Sequence, residues 1–224
     1  MTAQIQKVTV AGAGTMGPGI AATFAGHGFE TKLTDIQPSA LDKARNMIDM
    51  VFSVLVREDF LTTARADAGR ERLQIVSNMD DALEGAEFLV ETIPEKVEVK
   101  QSFYREIEPK VGPGVILASN TSGIPISQLG AGAENPRRIV GMHWSNPPHI
   151  IPVIEVIRGE KTSDLTVAIT HQVVNDMEMI PVDVDRDVPG FVENRILYAI
   201  MREALHLVEA VSYTHLTLPT SDLV

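Results

Sequence analysis

Two patterns of apolar residues alternate along the chain. Short stretches with apolar residues, at 5–11, 31–35, 73–76, 88–92, 115–118, 139–143, 151–157 and 180–184, read as strands. Residues 17–25, 39–61, 98–109 and 164–177 instead read as helices. In 39–61 the helical spacing is carried by Leu41, Ile48, Val51, Phe52 and Leu55. Strands alternating with helices need crossover connections, which are right-handed. The pattern therefore predicts a largely parallel sheet covered on both faces. The run 151–157 has no room for a helix before it and is expected to pair with 139–143 as a hairpin.

The pattern changes at Asp187-Val188-Pro189-Gly190. Pro and Gly mark a boundary there, and an amphipathic helix starts at Phe191. Its stripe, Ile196, Leu197, Ile200, Met201, Leu205 and Val208, needs a partner to cover it. Residues 211–224 abandon helical periodicity and resemble the conceptual translation of a sequencing-library adapter. They are expected to be a non-native tail, with a second domain cut short just before them.

Composition narrows the function classes. The chain has 224 residues, 44% of them hydrophobic, enough to bury a core without metal or disulfide staples. Thirty acidic against 19 basic residues give a net charge of −11, which argues against a nucleic-acid partner. There is no cysteine, so disulfide and thiolate chemistry are excluded. No secretory signal and no apolar run of membrane-spanning length is present, and the expected location is the cytoplasm.

Chemistry enters with the stretch "VTVAGAGTMGPGIAATFAGHGFETKLTD". Gly12-x-Gly14-x-x-Gly17 follows a strand and opens a helix, the context in which this spacing cradles a pyrophosphate. Gly12 permits the sharp turn, Gly14 lets backbone approach the phosphates, and Gly17 lets helix and strand pack closely. Thr15 and Met16 complete the loop. Pro18 falls in the first helical turn, where its missing N–H is no loss. Asp35 ends the second strand, 18 residues after Gly17, where a carboxylate accepts both ribose hydroxyls of an adenosine. The same charge repels a 2′-phosphate, and Ile36 and Gln37 offer no compensating arginine, so NAD is favoured over NADP. The bland alternative is a tight glycine turn with a capping Asp.

Two further stretches stand at strand ends, where open sheets bind ligands: "SNTSGIPIS", residues 119–127, and "GMHWSNPPHIIPVIEVI", residues 141–157. A hairpin of this length brings His143 and Glu155 together. A carboxylate on one imidazole nitrogen fixes the tautomer and leaves the other as a base. A lone His beside Trp is often a core or rim residue. A Glu inside an apolar strand is harder to dismiss, because an unpartnered buried carboxylate is costly. His143, His149 and Glu155 could also ligate a metal, but no familiar metal-site spacing supports it.

These motifs, with "GAGTMG", "VETIPEKVEVKQSFYREIE" and "DVPGFVENRI", resemble the L-3-hydroxyacyl-CoA dehydrogenases over residues 5–210. The resemblance implies a Rossmann-type doubly wound, mostly parallel α/β sheet in residues 1–186. It also implies the first helix of a truncated all-helical domain in 187–210. It implies NAD-dependent oxidation of the 3-hydroxyl of a 3-hydroxyacyl-CoA, with His143 as base and Glu155 as its partner. Ser122 and Asn194 would hydrogen-bond the substrate, and Glu95, Lys100 and Asn146 would line the cofactor site. On residues alone, Glu95 and Lys100 also fit a solvated helix face, and Asn146 a turn former. The full-length protein would be a homodimer in β-oxidation or related metabolism.

The chain departs from the family in carrying only Lys43, Arg45 and Arg57 on the helix where relatives cluster lysines for CoA phosphates. That keeps a free 3-hydroxy acid, of carnitine or sugar-acid type, open as the substrate. A non-catalytic NAD-binding protein is a third reading, opposed by the intact His143, Glu155, Ser122 and Asn194.

Overall fold

The computed structural model describes residues 4–210. Eight strands form one sheet: β1 Lys7–Ala11, β2 Glu30–Thr34, β3 Leu73–Val76, β4 Phe88–Glu91, β5 Ile116–Ser119, β6 Ile139–Trp144, β7 Val153–Ile157 and β8 Ile180–Val184. Their order is β3-β2-β1-β4-β5-β6-β7-β8. Neighbours are parallel except β6 and β7, which are antiparallel. The chain winds outward from β1 in one direction and then, from β4, in the other. The sheet is thus the Rossmann-type, doubly wound one the sequence implied. The reversal between β1 and β4 opens a crevice at the carboxyl ends of those strands.

Among the described residues the α-helices are α1 Gly17–Gly26, α2 Pro38–Arg57, α3 Thr63–Arg72, α4 Met79–Leu83, α5 Val97–Ile107, α6 Ile126–Gly130, α7 Asp164–Asp176 and α8 Glu193–Glu209. Alternate strand residues face opposite layers, as the pleat dictates. Val90 joins a core with Phe24 of α1, Ile48 of α2 and Val174 of α7. Its neighbour Leu89 joins a second core with Tyr104 of α5 and Leu129 of α6.

The sequence pattern merged or missed several helices. The stretch expected as one helix over 39–61 ends at Arg57, and Asp59, at φ 59°, turns the chain. A second helix, α3, then starts behind Thr62, whose hydroxyl accepts from the Arg65 amide at 3.2 Å. Only Ala66 and Gly69 of α3 are buried, so no apolar stripe announces it. α4 and α6 have five residues each, too short for a period to show.

α8 forms as its stripe predicts, yet none of its residues is buried, and Ile196 and Ile200 are 57% and 59% exposed. The proposed non-native tail, 211–224, lies outside the described residues. Among the described residues no helix is long and apolar enough to cross a membrane.

The glycine loop joins β1 to α1. Gly12 sits at φ 112°, which L side chains rarely adopt, and its amide donates to the Thr34 carbonyl at 2.8 Å. A Cβ on Gly17 would lie 1.8 Å from the Gly12 carbonyl oxygen, a backbone collision. A Cβ on Gly14 would meet nothing within 4 Å. Gly17→Ala is therefore expected to lower the melting temperature by roughly 4–10 °C, the equivalent of 1–3 kcal/mol of overpacking in a domain of this size. Gly14→Ala should leave it within about 2 °C; equal effects in thermal denaturation would contradict this packing account.

Candidate active site

The crevice between β1 and β4 is a cleft of about 810 Å³ lined in part by Gly12, Gly14, Thr15, Met16, Asp35 and Thr92. At its floor the α1 N-terminus carries no side-chain cap and no acidic residue in its first turn, leaving amides and a partial positive charge for an anion. Pro18 lies within that first turn, as expected. The space over Gly14 is what a pyrophosphate approaching the backbone requires. On the β2 side, Asp35 Oδ2 accepts from the Ala13 amide at 2.7 Å and Oδ1 from the Gln37 amide at 2.8 Å. Each oxygen keeps a lone pair for a ribose hydroxyl. The carboxylate therefore both braces the glycine loop and presents itself to a ligand. These residues fit a dinucleotide.

Further along the sheet, the β6–β7 register sets His143 directly opposite Glu155. His143 Nδ1 donates to Glu155 Oε2 at 2.8 Å, and both residues are buried. Glu155 Oε1 accepts from the amides of Val192 and Glu193, each at 2.9 Å, at the start of α8. Burial pushes the Glu155 carboxyl up, but the hydrogen bonds from His143 and the two amides outweigh it and hold it below the usual carboxylate range. A neutral ring so held carries its proton on Nδ1 and leaves the Nε2 lone pair free. Gly190 and Phe191, at φ 78° and 47°, turn the chain so that the two amides face Glu155. The buried Phe191 ring lies 5.9 Å from the imidazole, centre to centre.

The loop after β5 supplies the third part. Glu95 Oε1 accepts from the Thr121 hydroxyl at 2.6 Å and from the Ser122 amide at 2.9 Å. Asn194 donates its side-chain amide to the Ser122 carbonyl at 2.8 Å, so the two expected substrate ligands do meet. Burial raises the Glu95 carboxyl, while Thr121, Lys100 and the Ser122 amide together bring it below the ordinary range. Lys100 is only 1% exposed and bridges Glu91 and Glu95. Glu95, Lys100 and Asn146 all lie outside the lining of the 810 Å³ cleft. Asn146 is exposed in the turn after β6, where its bond to Pro147 is cis.

Sequence reasoning passed over four groups. Glu91, fully buried, accepts from Lys100, Ser119, Tyr104 and the Ile93 amide. A carboxylate at the end of an apolar run was the available signal, akin to the carboxylate inside an apolar strand that marked Glu155. Asn120 holds the Trp144 amide at 2.9 Å and so fixes the end of β6. Glu193 and Ser145 meet beside His143, at 2.6 Å, from segments 48 positions apart, which no local pattern reveals. The ligand atoms of His143, Glu155 and Glu193 lie within 4.8 Å of one another, a closeness these hydrogen bonds account for.

Comparison with known proteins agrees with this geometry. A sequence profile described as "3-hydroxyacyl-CoA dehydrogenase, NAD binding domain" matches residues 7–188. A 5-formyl-3-hydroxy-2-methylpyridine 4-carboxylate 5-dehydrogenase from Mesorhizobium japonicum is 46% identical over 205 residues, 92% of this chain and 65% of that protein. An L-carnitine dehydrogenase from Streptomyces coelicolor is 34% identical over 204 residues, 91% of this chain and 63% of that one. The crystal structure of a (S)-3-hydroxybutyryl-CoA dehydrogenase from Ralstonia eutropha matches with a TM-score of 0.87 at 33% identity, over 94% of this chain and 74% of that chain. The chain thus spans less than two thirds of the length of the first two relatives. It belongs to the 3-hydroxyacyl-CoA dehydrogenase family, whose NAD-binding domain it carries.

Proposed function

We propose that this chain carries the cofactor site and the acid–base pair of an NAD-dependent dehydrogenase acting on a CH–OH group. The observation that carries the reading is the buried His143–Glu155 pair, at 2.8 Å, on the same sheet end as an open glycine cradle. Gly12, Gly14, Thr15, Met16 and Gly17 would hold the pyrophosphate and Asp35 the adenosine ribose. Glu95 and Asn146 would stand toward the nicotinamide, with Lys100 fixing Glu95 from behind. NAD, when bound, supplies the hydride-accepting carbon. His143 Nε2 takes the proton of the substrate hydroxyl, while Nδ1 keeps its own proton on Glu155. The Glu155 carboxylate stabilises the imidazolium, and Ser122 and Asn194 orient the substrate oxygens. Proton transfer of this kind contributes about 10²–10⁴-fold in rate.

For the substrate, a small free hydroxy acid is favoured over a CoA thioester. Of the three cations on α2, Arg57 is tied to Glu58 at 2.8 Å, leaving Lys43 and Arg45 on a helix that also carries Asp42 and Asp49. The relative at 46% identity is named for a free pyridine carboxylate, and others for carnitine. The thioester reading draws on the hydroxybutyryl-CoA dehydrogenases, such as a probable one from Bacillus subtilis at 33% identity. A boundary at residue 187, with α8 opening a second unit, fits the absence of any buried residue in α8. The exposed α8 stripe likewise supports a homodimer.

His143→Ala is expected to cut turnover at least 10²-fold while NADH affinity, read by fluorescence titration, stays within a few-fold. A variant that keeps most of its turnover would falsify the assigned base. In a substrate panel followed at the NADH absorbance band, free 3-hydroxy acids should react faster than the matching CoA thioesters. Turnover confined to thioesters would reverse the substrate assignment.

Acid should loosen the site through Glu155 and Glu95. Both carboxyls lie below their unfolded value of about 4.3, so their stabilisation is fully present above roughly pH 5. It is lost as pH falls through the folded values. Glu155→Gln should therefore show a shallower fall in melting temperature between pH 6 and pH 3 than the parent. Identical slopes would mean that the Glu155 hydrogen bonds do not contribute to folding.

A further inference from the structure

Glu193 is the first residue of α8 and turns its carboxylate back toward β6. The Ser145 hydroxyl donates to Glu193 Oε2 at 2.6 Å, and that same oxygen lies 3.9 Å from His143 Nδ1. This is too long for a hydrogen bond and short enough for a substantial Coulomb interaction. Among the described residues, the charged groups within ion-pair distance of the imidazole are Glu155, from β7, and Glu193, from α8. Phe191, also packed against the ring, brings no charge. The Glu193 side chain is 40% exposed, so solvent competes for it, yet the buried Ser145 holds it toward the histidine.

We propose that Glu193 is a second counter-charge to His143, a positioning residue clamped by Ser145 that stabilises the imidazolium formed when Nε2 accepts a proton. Its catalytic meaning rests on His143 being the base; the charge pairing itself does not. Glu155 has both oxygens committed, one to the ring and one to the α8 amides. Glu193 adds a charge whose position depends on the start of α8 being docked. The full strength of the base is then reached only with that helix in place.

The test follows the His143 ring resonance through a pH titration of the ¹³C-histidine-labelled chain, the signal being identified by its loss in His143→Ala. Glu193→Gln removes the charge and retains an acceptor for Ser145. Its titration midpoint is expected about half a pH unit below the parent's, roughly a threefold change in proton affinity, as suits a partly solvated pair. Ser145→Ala, which frees Glu193 into solvent, should shift the midpoint the same way by less. In turnover assays the acid limb of kcat/KM for oxidation should move with the midpoint while the KM for NAD holds.

A purely structural Glu193 would lower the melting temperature and leave the midpoint in place, and a midpoint within 0.1 unit of the parent's in folded Glu193→Gln overturns the proposal. Should that variant fail to fold, Ser145→Ala decides, an unmoved midpoint again overturning it. Because the resonance reads the charge pair and not turnover, a chain without dehydrogenase activity would refute the functional reading and leave this one standing or falling separately.

Discussion

The site is organised around one buried carboxylate. Glu155 is 2% exposed in the middle of an otherwise apolar strand, a placement that would be prohibitive for an unpartnered charge. Three donors offset the cost: the His143 ring N–H on one oxygen and two backbone amides on the other. Removing a partner from such a group typically costs about 3–5 kcal/mol, so these contacts are mutually enforcing. The hairpin register, the imidazole tautomer and the entry angle of α8 are consequences of satisfying one side chain. α8, whose own residues are all unburied, is joined at its start to the group that braces the proposed base.

A second carboxylate plays a comparable part at the other end of the crevice. Asp35 ties the β1–α1 loop to the start of α2 through the Ala13 and Gln37 amides. The glycine loop is therefore pre-shaped, and a nucleotide need not order it on binding. A third, Glu91, lies beneath the sheet end with Lys100, Ser119 and Tyr104 around it. Through Lys100 it sets Glu95, and through Glu95 it sets the Thr121-Ser122 turn. Each functional loop hangs from an acidic side chain whose oxygens face several donors. That is how a strongly acidic protein spends some of its acidic residues.

Much of this was legible along the chain because it depends on local chemistry. The strand runs and the helical stripes of α2, α5 and α7 follow from burial on one face, which leaves a period in the sequence, and α8 shows such a stripe although none of its residues is buried. The glycine spacing and Asp35 report a backbone geometry that few other residues permit. The Glu in "PVIEVI" announced a buried partner, and the hairpin length named His143 as that partner. By contrast α3 buries only Ala66 and Gly69, α4 and α6 are single turns, and none of them leaves a stripe.

The sequence by itself therefore determined the largely parallel, two-sided sheet, the dinucleotide cradle and the His143–Glu155 pair, each written in residues close together or at fixed offsets. The tertiary structure decided what depends on segments far apart in the chain. It buried Lys100 between Glu91 and Glu95, a pairing that local spacing does not reveal. It joined Asn194 to the Ser122 carbonyl across 72 positions and Ser145 to Glu193 across 48. It also showed that the second oxygen of Glu155 holds the first amides of α8. Such contacts are set by how strands and helices stack in space, and no window of sequence carries that information.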